Sequence, residues 1–460
     1  MIKFFQKNYF LFLLPLLINL LNNFNLKKIV INNIGFYDIV SSLILFVFLF
    51  SFGYCFKLVF NYMTITFGII TYIFSFFIFE SFVLFFYADI NLTLTFFIVN
   101  FLWLIFYIIF LEEKRVIFYM IASYFSMRYF NSSNFEMMSL NINLIGDVYD
   151  VFFPNTQMIY ETSYKISVMN SPTMAGYPQF MSYIDAFLYK LAYDKENYDF
   201  IISNSLVFFW LNLLLFTELR TSKKSRFFIA AIFIILLLNS RWLEFLFVSS
   251  LMSERIAGYL LAGILVSIFK IRKTQTSQLY FLFFMLGFIY ITKQFFSIIV
   301  LILFFIFLMS SKYRKYSPLI LGAFALQEIA YSTYFTNAKK NYHTTQIDIP
   351  DTLQDLILFR DLNLSNFTEI MKNLSSDKPF TYLLLITIGL LCLKLITGKS
   401  SYEVKIYIVI TVLNLLFIFL LYISAWRNME LESPIRYIYS FLIFYLLLIS
   451  NSVLEDEILK

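Results

Sequence analysis

Asp147 and Asp150 stand three residues apart in the polar stretch from Gly146 to Pro178, GDVYDVFFPNTQMIYETSYKISVMNSPTMAGYP. On a helical turn that spacing puts both carboxylates on one face. One of such a pair can take a proton from an acceptor hydroxyl, and either can hold a divalent cation through oxygen ligands. In a soluble loop an isolated Asp-x-x-Asp is ordinarily just solvated. Here the pair directly follows long apolar sequence, and two segments that can lie flat on a membrane follow it.

Cations are available to work with these carboxylates. Arg241 and Arg255 bracket a short hairpin that also carries Glu244 and Glu254, Lys293 sits between two apolar runs, and Arg436 opens the last one. Arg and Lys hold phosphate oxygens through charge-assisted hydrogen bonds, so this set suits a phosphate-bearing lipid. The plain alternative is snorkelling to headgroups, or local ion pairing. The runs beside Lys293 are about fifteen residues each, short for a full crossing, which favours a polar cavity there.

Glu80 and Glu328 lie inside apolar runs, where a carboxylate is a functional candidate by default. Tyr331, Ser332 and Tyr334 follow Glu328 and could bond it as an ordinary buried acid. His343 is the one histidine, beside Lys339, Lys340 and Tyr342, and it reads as a solvated loop residue. One histidine without a cysteine partner excludes a Cys/His metal cluster. No phosphate-binding glycine loop and no GxSxG is present, so nothing points to nucleotide hydrolysis. The sequence requires no cofactor, although a divalent cation fits the aspartates.

The elements that must position these groups are membrane helices. The chain has 460 residues, 60% hydrophobic and 14% charged, with a mean hydropathy of +0.77. A soluble domain carries about 45–50% apolar and about 25% charged residues. Apolar runs near the bilayer-spanning length recur from end to end. The expected fold class is all-α, a polytopic membrane protein of about 12–14 transmembrane helices with amphipathic helices on its outer face. The 61 Phe and 33 Tyr accompany abundant Ile, Asn and Lys, all with A/T-rich codons, and base composition explains them better than chemistry does. Cys55 and Cys392 both sit in apolar runs and read as packed thiols. The N-terminal run reads as a retained first helix, since no small-residue cleavage site follows it.

Spans are expected near 9–25, 37–56, 63–88, 92–111, 116–130, 200–218, 227–241, 250–269, 277–291, 295–311, 317–335, 380–397, 405–423 and 437–451. The net charge of +6 is scattered over short loops and reports topology, not nucleic-acid binding. Basic clusters at Arg220–Arg226, Lys270–Lys273, Lys312–Lys315 and Lys394–Lys405 are separated by even numbers of crossings, so all lie on one face. By the positive-inside rule that face is cytoplasmic. The chain then divides into N-terminal spans 1–130, an outer loop 131–199, central spans 200–335, a second outer loop 336–379 and C-terminal spans 380–460. The expected location is the plasma (inner) membrane, multi-pass, with the chemistry on the extracytoplasmic side.

In the outer loop, Phe180, Ile184, Phe187, Leu188 and Leu191 recur at helical spacing after Pro178, with Ser182, Asp185 and Lys190 largely on the other side. About thirteen residues cannot span, and the stretch reads as an interfacial amphipathic helix or one packed on neighbouring protein. A second such helix can follow Pro154.

With these features in order, the chain resembles the C-type (GT-C) superfamily of integral membrane glycosyltransferases. Asp147-Val-Tyr-Asp-Val-Phe-Phe-Pro154 resembles the first large outer-loop motif, an aspartate seven residues before a proline. Tyr177-Pro178 with its amphipathic helix resembles the Tyr-Pro region of that loop, Ile291-Thr292-Lys293 the Thr-Lys turn between two short helices, and Arg436-Tyr437 the opening of a late helix. Relatives often carry a Tyr-His pair in the first motif where this chain has Val151-Phe152, which hands that role to other groups or implies a different substrate. The resemblance implies transfer of a sugar from a polyprenyl-phosphate donor to a glycan, lipid or protein acceptor. It makes Asp147 the catalytic aspartate, with Asp150 beside it, and sets Lys293 and Arg436 near donor phosphate. Arg255, Arg241 and Tyr177 are further binding candidates, and membrane lipids are the surrounding partners.

Two other readings fit parts of the sequence. An O-antigen polymerase or ligase would rely on cations and a histidine in a late outer loop, where this chain has Lys339, His343 and Arg360. A transporter or flippase would need a polar pathway, for which only Glu80, Glu328 and a few Gln are available.

Overall fold

A computed structural model describes residues 36–60, 64–86, 91–133, 155–156, 158–159, 180–192, 210–212, 253–270, 276–289 and 296–339, with further single positions or pairs between 207 and 218 and between 368 and 416. Among them the chain is helical, without strands. The helices traced end to end are α1 Phe36–Val59, α2 Ile65–Phe86, α3 Leu92–Phe110, α4 Arg115–Ser133, α5 Phe180–Ala192, α6 Ser253–Lys270, α7 Thr276–Phe288, α8 Phe296–Met309 and α9 Ser317–Lys339. Each falls within a few residues of an expected span or, for α5, of the expected short helix. The stretch 116–130, only weakly apolar, is a full helix in α4.

By length and composition, two of these helices can cross a membrane, over Ser42–Val59 and Ile65–Phe86. Leu94–Phe110, Ile256–Ile268, Gln278–Phe288 and Ile299–Met309 are shorter apolar stretches. The run at 277–311 is therefore two short helices around Lys293, as its interruption predicts.

Close packing builds the bundle. At the α1–α2 crossing, glycines let the backbones touch: a Cβ on Gly68 would stand 2.7 Å from Gly53 Cα, and one on Gly53 would overlap the Ile65 carbonyl. Gly263 of α6 sits against Ile70 and Thr66, and Gly287 of α7 against Ala323 and the backbone of α9. Aromatic rings fill much of the rest, as where Phe52 stacks on Tyr72 at 4.1 Å between centroids.

Polar bonds between helices fix the register. Tyr72 donates to Asn100 Oδ1 (2.7 Å), Trp103 Nε1 to Ser75 Oγ (3.1 Å) and Tyr107 to the Phe52 carbonyl (3.1 Å). Gln327 Nε2 of α9 donates to Ser81 Oγ of α2 at 2.8 Å, and that hydroxyl passes its proton to the Phe77 carbonyl. In an apolar interior such bonds count for specificity, because leaving either group unmade is costly.

Contacts among helix ends put one end each of α1, α2, α3, α4, α7 and α9 at a common level. The C-terminal end of α1 meets α4 near its start, where Cys55 Sγ lies 3.3 Å from Met120 Sδ. Phe60 stacks on Phe106 near the end of α3, Phe281 of α7 meets Phe67 of α2, and Tyr280 meets Tyr316 just before α9. That end carries Lys57, Lys114, Arg115, Lys312, Arg314 and Lys315 against Glu112, Glu113 and Glu218. Lys312 and Lys315 stand over the rings of Tyr313 and Tyr316 at 4.6 and 4.8 Å. We call this the basic end.

Candidate functional site

Asp147, Asp150, Tyr177, Arg241, Lys293 and Arg436 lie outside the described residues. Arg255 falls in the first turn of α6, though its side chain is not described. What the structure does describe is two segments that follow the aspartates. Asn155, Thr156, Met158 and Ile159, just past Pro154, are helical. Asn155, Thr156 and Ile159 are buried. This is where a second loop helix was expected.

The second segment, α5, follows Pro178. The sequence assigned Ser182 and Asp185 to a polar outer side, but both are as buried as Ile184 and Phe187. The helix packs on protein around its described middle. Phe187 lies 3.8 Å from Phe76 of α2 and 5.6 Å from Phe96 of α3, centroid to centroid. Packing on neighbouring protein is thus observed for this helix, a reading compatible with a place at the outer interface.

Two polar groups of α2 and α3 lie beside Tyr183 of this helix, Glu80 and Thr95. Glu80 is fully buried in α2, as a carboxylate inside an apolar run suggested. Tyr183 of α5 lies near it and bonds Thr95 of α3. Burial raises the Tyr183 hydroxyl well above its usual range, the Glu80 charge adds to this, and the Thr95 bond opposes it. The phenol therefore stays protonated and can act as a hydrogen-bond donor. Glu80, Tyr183 and Thr95 form a buried polar core where α5 meets α2 and α3, and Asp185 is also buried on α5.

Glu328 does not behave as a buried acid. It is exposed on α9, while its neighbour Gln327 is fully buried and reaches Ser81. Ser332 turns back to the Ile329 carbonyl at 3.0 Å. The period of α9 decides this, since 327 and 328 point about 100° apart.

Sequence reasoning passed over Glu218. Its two carboxylate oxygens accept the backbone N–H groups of Ile65 (2.5 Å) and Thr66 (2.8 Å), the first two residues of α2. Thr64 Oγ1 takes the Phe67 N–H at 3.1 Å. Three donors that a helix start leaves unmade are thus satisfied, and negative charge sits where the helix dipole favours it. The one hint in the sequence is an acid closing an apolar run just before Arg220.

Among the described residues, no three of His, Cys, Asp and Glu gather as metal ligands. Cys55 is buried and Cys392 exposed. No protein-family model matches the chain, and no curated protein or solved structure matches it either.

Proposed function

We propose that this chain is an integral membrane glycosyltransferase of about 12–14 transmembrane helices, moving a sugar from a polyprenyl-phosphate donor to an acceptor on the extracytoplasmic face. The observation that carries it is the anchoring of the chain downstream of Asp147. Residues 155–159, which begin eight residues after Asp147, and α5, which follows Pro178, include side chains buried in the bundle, so the sequence that follows the aspartates is tied to the bundle at two points. A loop that must hold a base within hydrogen-bond reach of a substrate needs such anchoring. The ordered succession of Asp147, Tyr177, Lys293 and Arg436 adds to it. So does the basic end, which the positive-inside rule assigns to the cytoplasm. That assignment puts the α2–α3 turn, and the polar core around Glu80 and α5, towards the outer side.

In this mechanism the lipid phosphate is already a good leaving group and needs no general acid. Asp147 takes the proton from the acceptor hydroxyl as the new glycosidic bond forms. Lys293, with Arg255 or Arg436, holds the phosphate as its charge develops. Asp150 and Tyr177 help to hold the substrates, and Arg241 is a further phosphate contact.

The test is transfer by the purified full-length protein from a panel of polyprenyl-phosphate sugars, in detergent and without a sealed membrane. Asp147→Asn should lower turnover by at least about 100-fold, the scale of a lost general base, while insertion and helix content stay unchanged. Near-normal turnover by that variant overturns the assignment.

A further inference from the structure

The turn from α8 into α9, Ser310 to Tyr316, carries Lys312, Arg314 and Lys315. Tight backbone bonds run through it: the Ser310 N–H donates to the Phe307 carbonyl (3.2 Å), that of Tyr313 to Ser310 (3.2 Å) and that of Tyr316 to Tyr313 (2.9 Å). With bonds spanning three residues, side chains three apart fall in line. Tyr313 and Tyr316 share the inner line, and both are buried. Their rings lie 5.8 and 5.3 Å from that of Phe283 in α7, which pins the turn to the bundle. Met309, Lys312 and Lys315 share an outer line, and all three are exposed, as is Arg314.

The three cations are fixed in place without being neutralised. Each lysine rests over the ring of the tyrosine that follows it, which holds an ammonium but leaves its charge. Arg314 Nε donates to the Leu308 carbonyl at 3.0 Å. That bond orients the guanidinium and leaves its terminal amino groups for a bidentate partner. The bond to Tyr316 raises the Lys315 ammonium above its usual range, Tyr280 adds to this, and among the described residues no carboxylate contributes. The other described acids at the basic end are engaged elsewhere. Glu218 accepts from Ile65 and Thr66, and Glu112 and Glu113 share their own turn with Lys114 and Arg115.

Three exposed cations within four residues suit an anion with several acceptor oxygens, as a phosphate has. The apolar flank says which phosphate. Met309, in line with the two lysines, is 83% exposed, and Phe305 one turn before it and Leu321 on α9 are exposed too. A soluble anion leaves these side chains in water, whereas acyl chains cover them. We infer that the α8–α9 turn is a site for the phosphate headgroup of an anionic glycerophospholipid, whose acyl chains lie along the exposed ends of α8 and α9. The site depends on membrane insertion and not on sugar transfer, so a chain that transfers no sugar still binds the lipid.

The test is a lipid titration of the purified full-length protein in a non-ionic detergent, with bound lipid counted by native mass spectrometry. Phosphatidylglycerol should bind more tightly than phosphatidylcholine. Lys312→Gln with Lys315→Gln should weaken phosphatidylglycerol binding by about 25-fold, at about fivefold for each cation near an anionic lipid, while helix content stays the same. Lys57→Gln with Lys114→Gln removes as much charge from the same end and should leave binding unchanged. Glycerol phosphate should not displace the lipid. Equal binding of the two lipids, or a preference that survives loss of Lys312 and Lys315, overturns the proposal. So does an equal loss in the Lys57 and Lys114 variant, which would mean a diffuse field instead of a site. Displacement by glycerol phosphate overturns it as well, by assigning the turn to soluble anions.

Discussion

Glu218 shows how one side chain can organise a helix from 150 residues away. A start buried among other helices has no water for its first N–H groups, and α2 begins in such a place. The carboxylate supplies two acceptors and a charge of the favourable sign, and Thr64 completes the set. Glu218→Ala should cost about 1–2 kcal/mol, the upper part of the range for a lost N-cap, seen as a lower unfolding temperature in detergent. Glu218→Gln keeps an acceptor without the charge and should fall between. An unchanged Glu218→Ala protein would mean that the bond adds nothing to folding. Glu80 is a different case. It sits within the bundle near Tyr183, and Glu80→Gln should leave α5 docked, whereas Glu80→Leu removes every polar partner it offers. Protease sensitivity of the 131–199 loop distinguishes the two, rising only for the leucine variant.

Between elements, glycine position decides how close backbones come. Gly53 and Gly68 face each other across α1 and α2, and either one changed to Leu forces the pair apart. Overpacking of this kind costs about 1–3 kcal/mol, and the yield of monodisperse protein should drop with it. Gly322 is the control. Nothing lies within 4 Å of a Cβ built there, so Gly322→Ala should stabilise α9 by about 0.5–1 kcal/mol. A destabilised Gly322→Ala protein would mean that something covers this face. The helices themselves were legible in the sequence because each apolar run is long and bounded by charge. The short pair around Lys293 was legible from the same rule. What could not be read were pairings between distant helices. Ser182 and Asp185 look like a solvent face until they are found buried on a helix packed against α2 and α3. Glu328 looks like a buried acid because hydropathy averages over a turn and cannot say which of two neighbours faces inward. Glu218 carries no local signal, since its partners are backbone amides that any helix offers. For the loop chemistry, sequence supplies the aspartates and their order, and the structure adds two buried segments downstream of them, 155–159 and α5.

At the scale of the whole molecule, the consequence that matters most is orientation. Interhelical contacts, none of them chosen for charge, bring six described Lys and Arg to one level, with three Glu. A set of scattered surface lysines would not sort in this way. The end of α2 and the start of α3 lie at the opposite end, where Asn91 caps α3 through the Leu94 N–H at 3.2 Å. If the basic end faces the cytoplasm, Asn91 must face outward and Lys114 inward. Cysteine labelling tests this directly in a background with Cys55→Ser and Cys392→Ser. Asn91→Cys should react with a membrane-impermeant maleimide on intact cells, and Lys114→Cys should react only after the membrane is opened. The cap lost at Asn91 costs about 1 kcal/mol, too little to unfold the bundle. The reverse pattern would put the Asp147 loop in the cytoplasm, where its acceptor could not be an external glycan. Labelling of both sites on intact cells would separate the two turns from opposite faces and remove the basis for a single outer site.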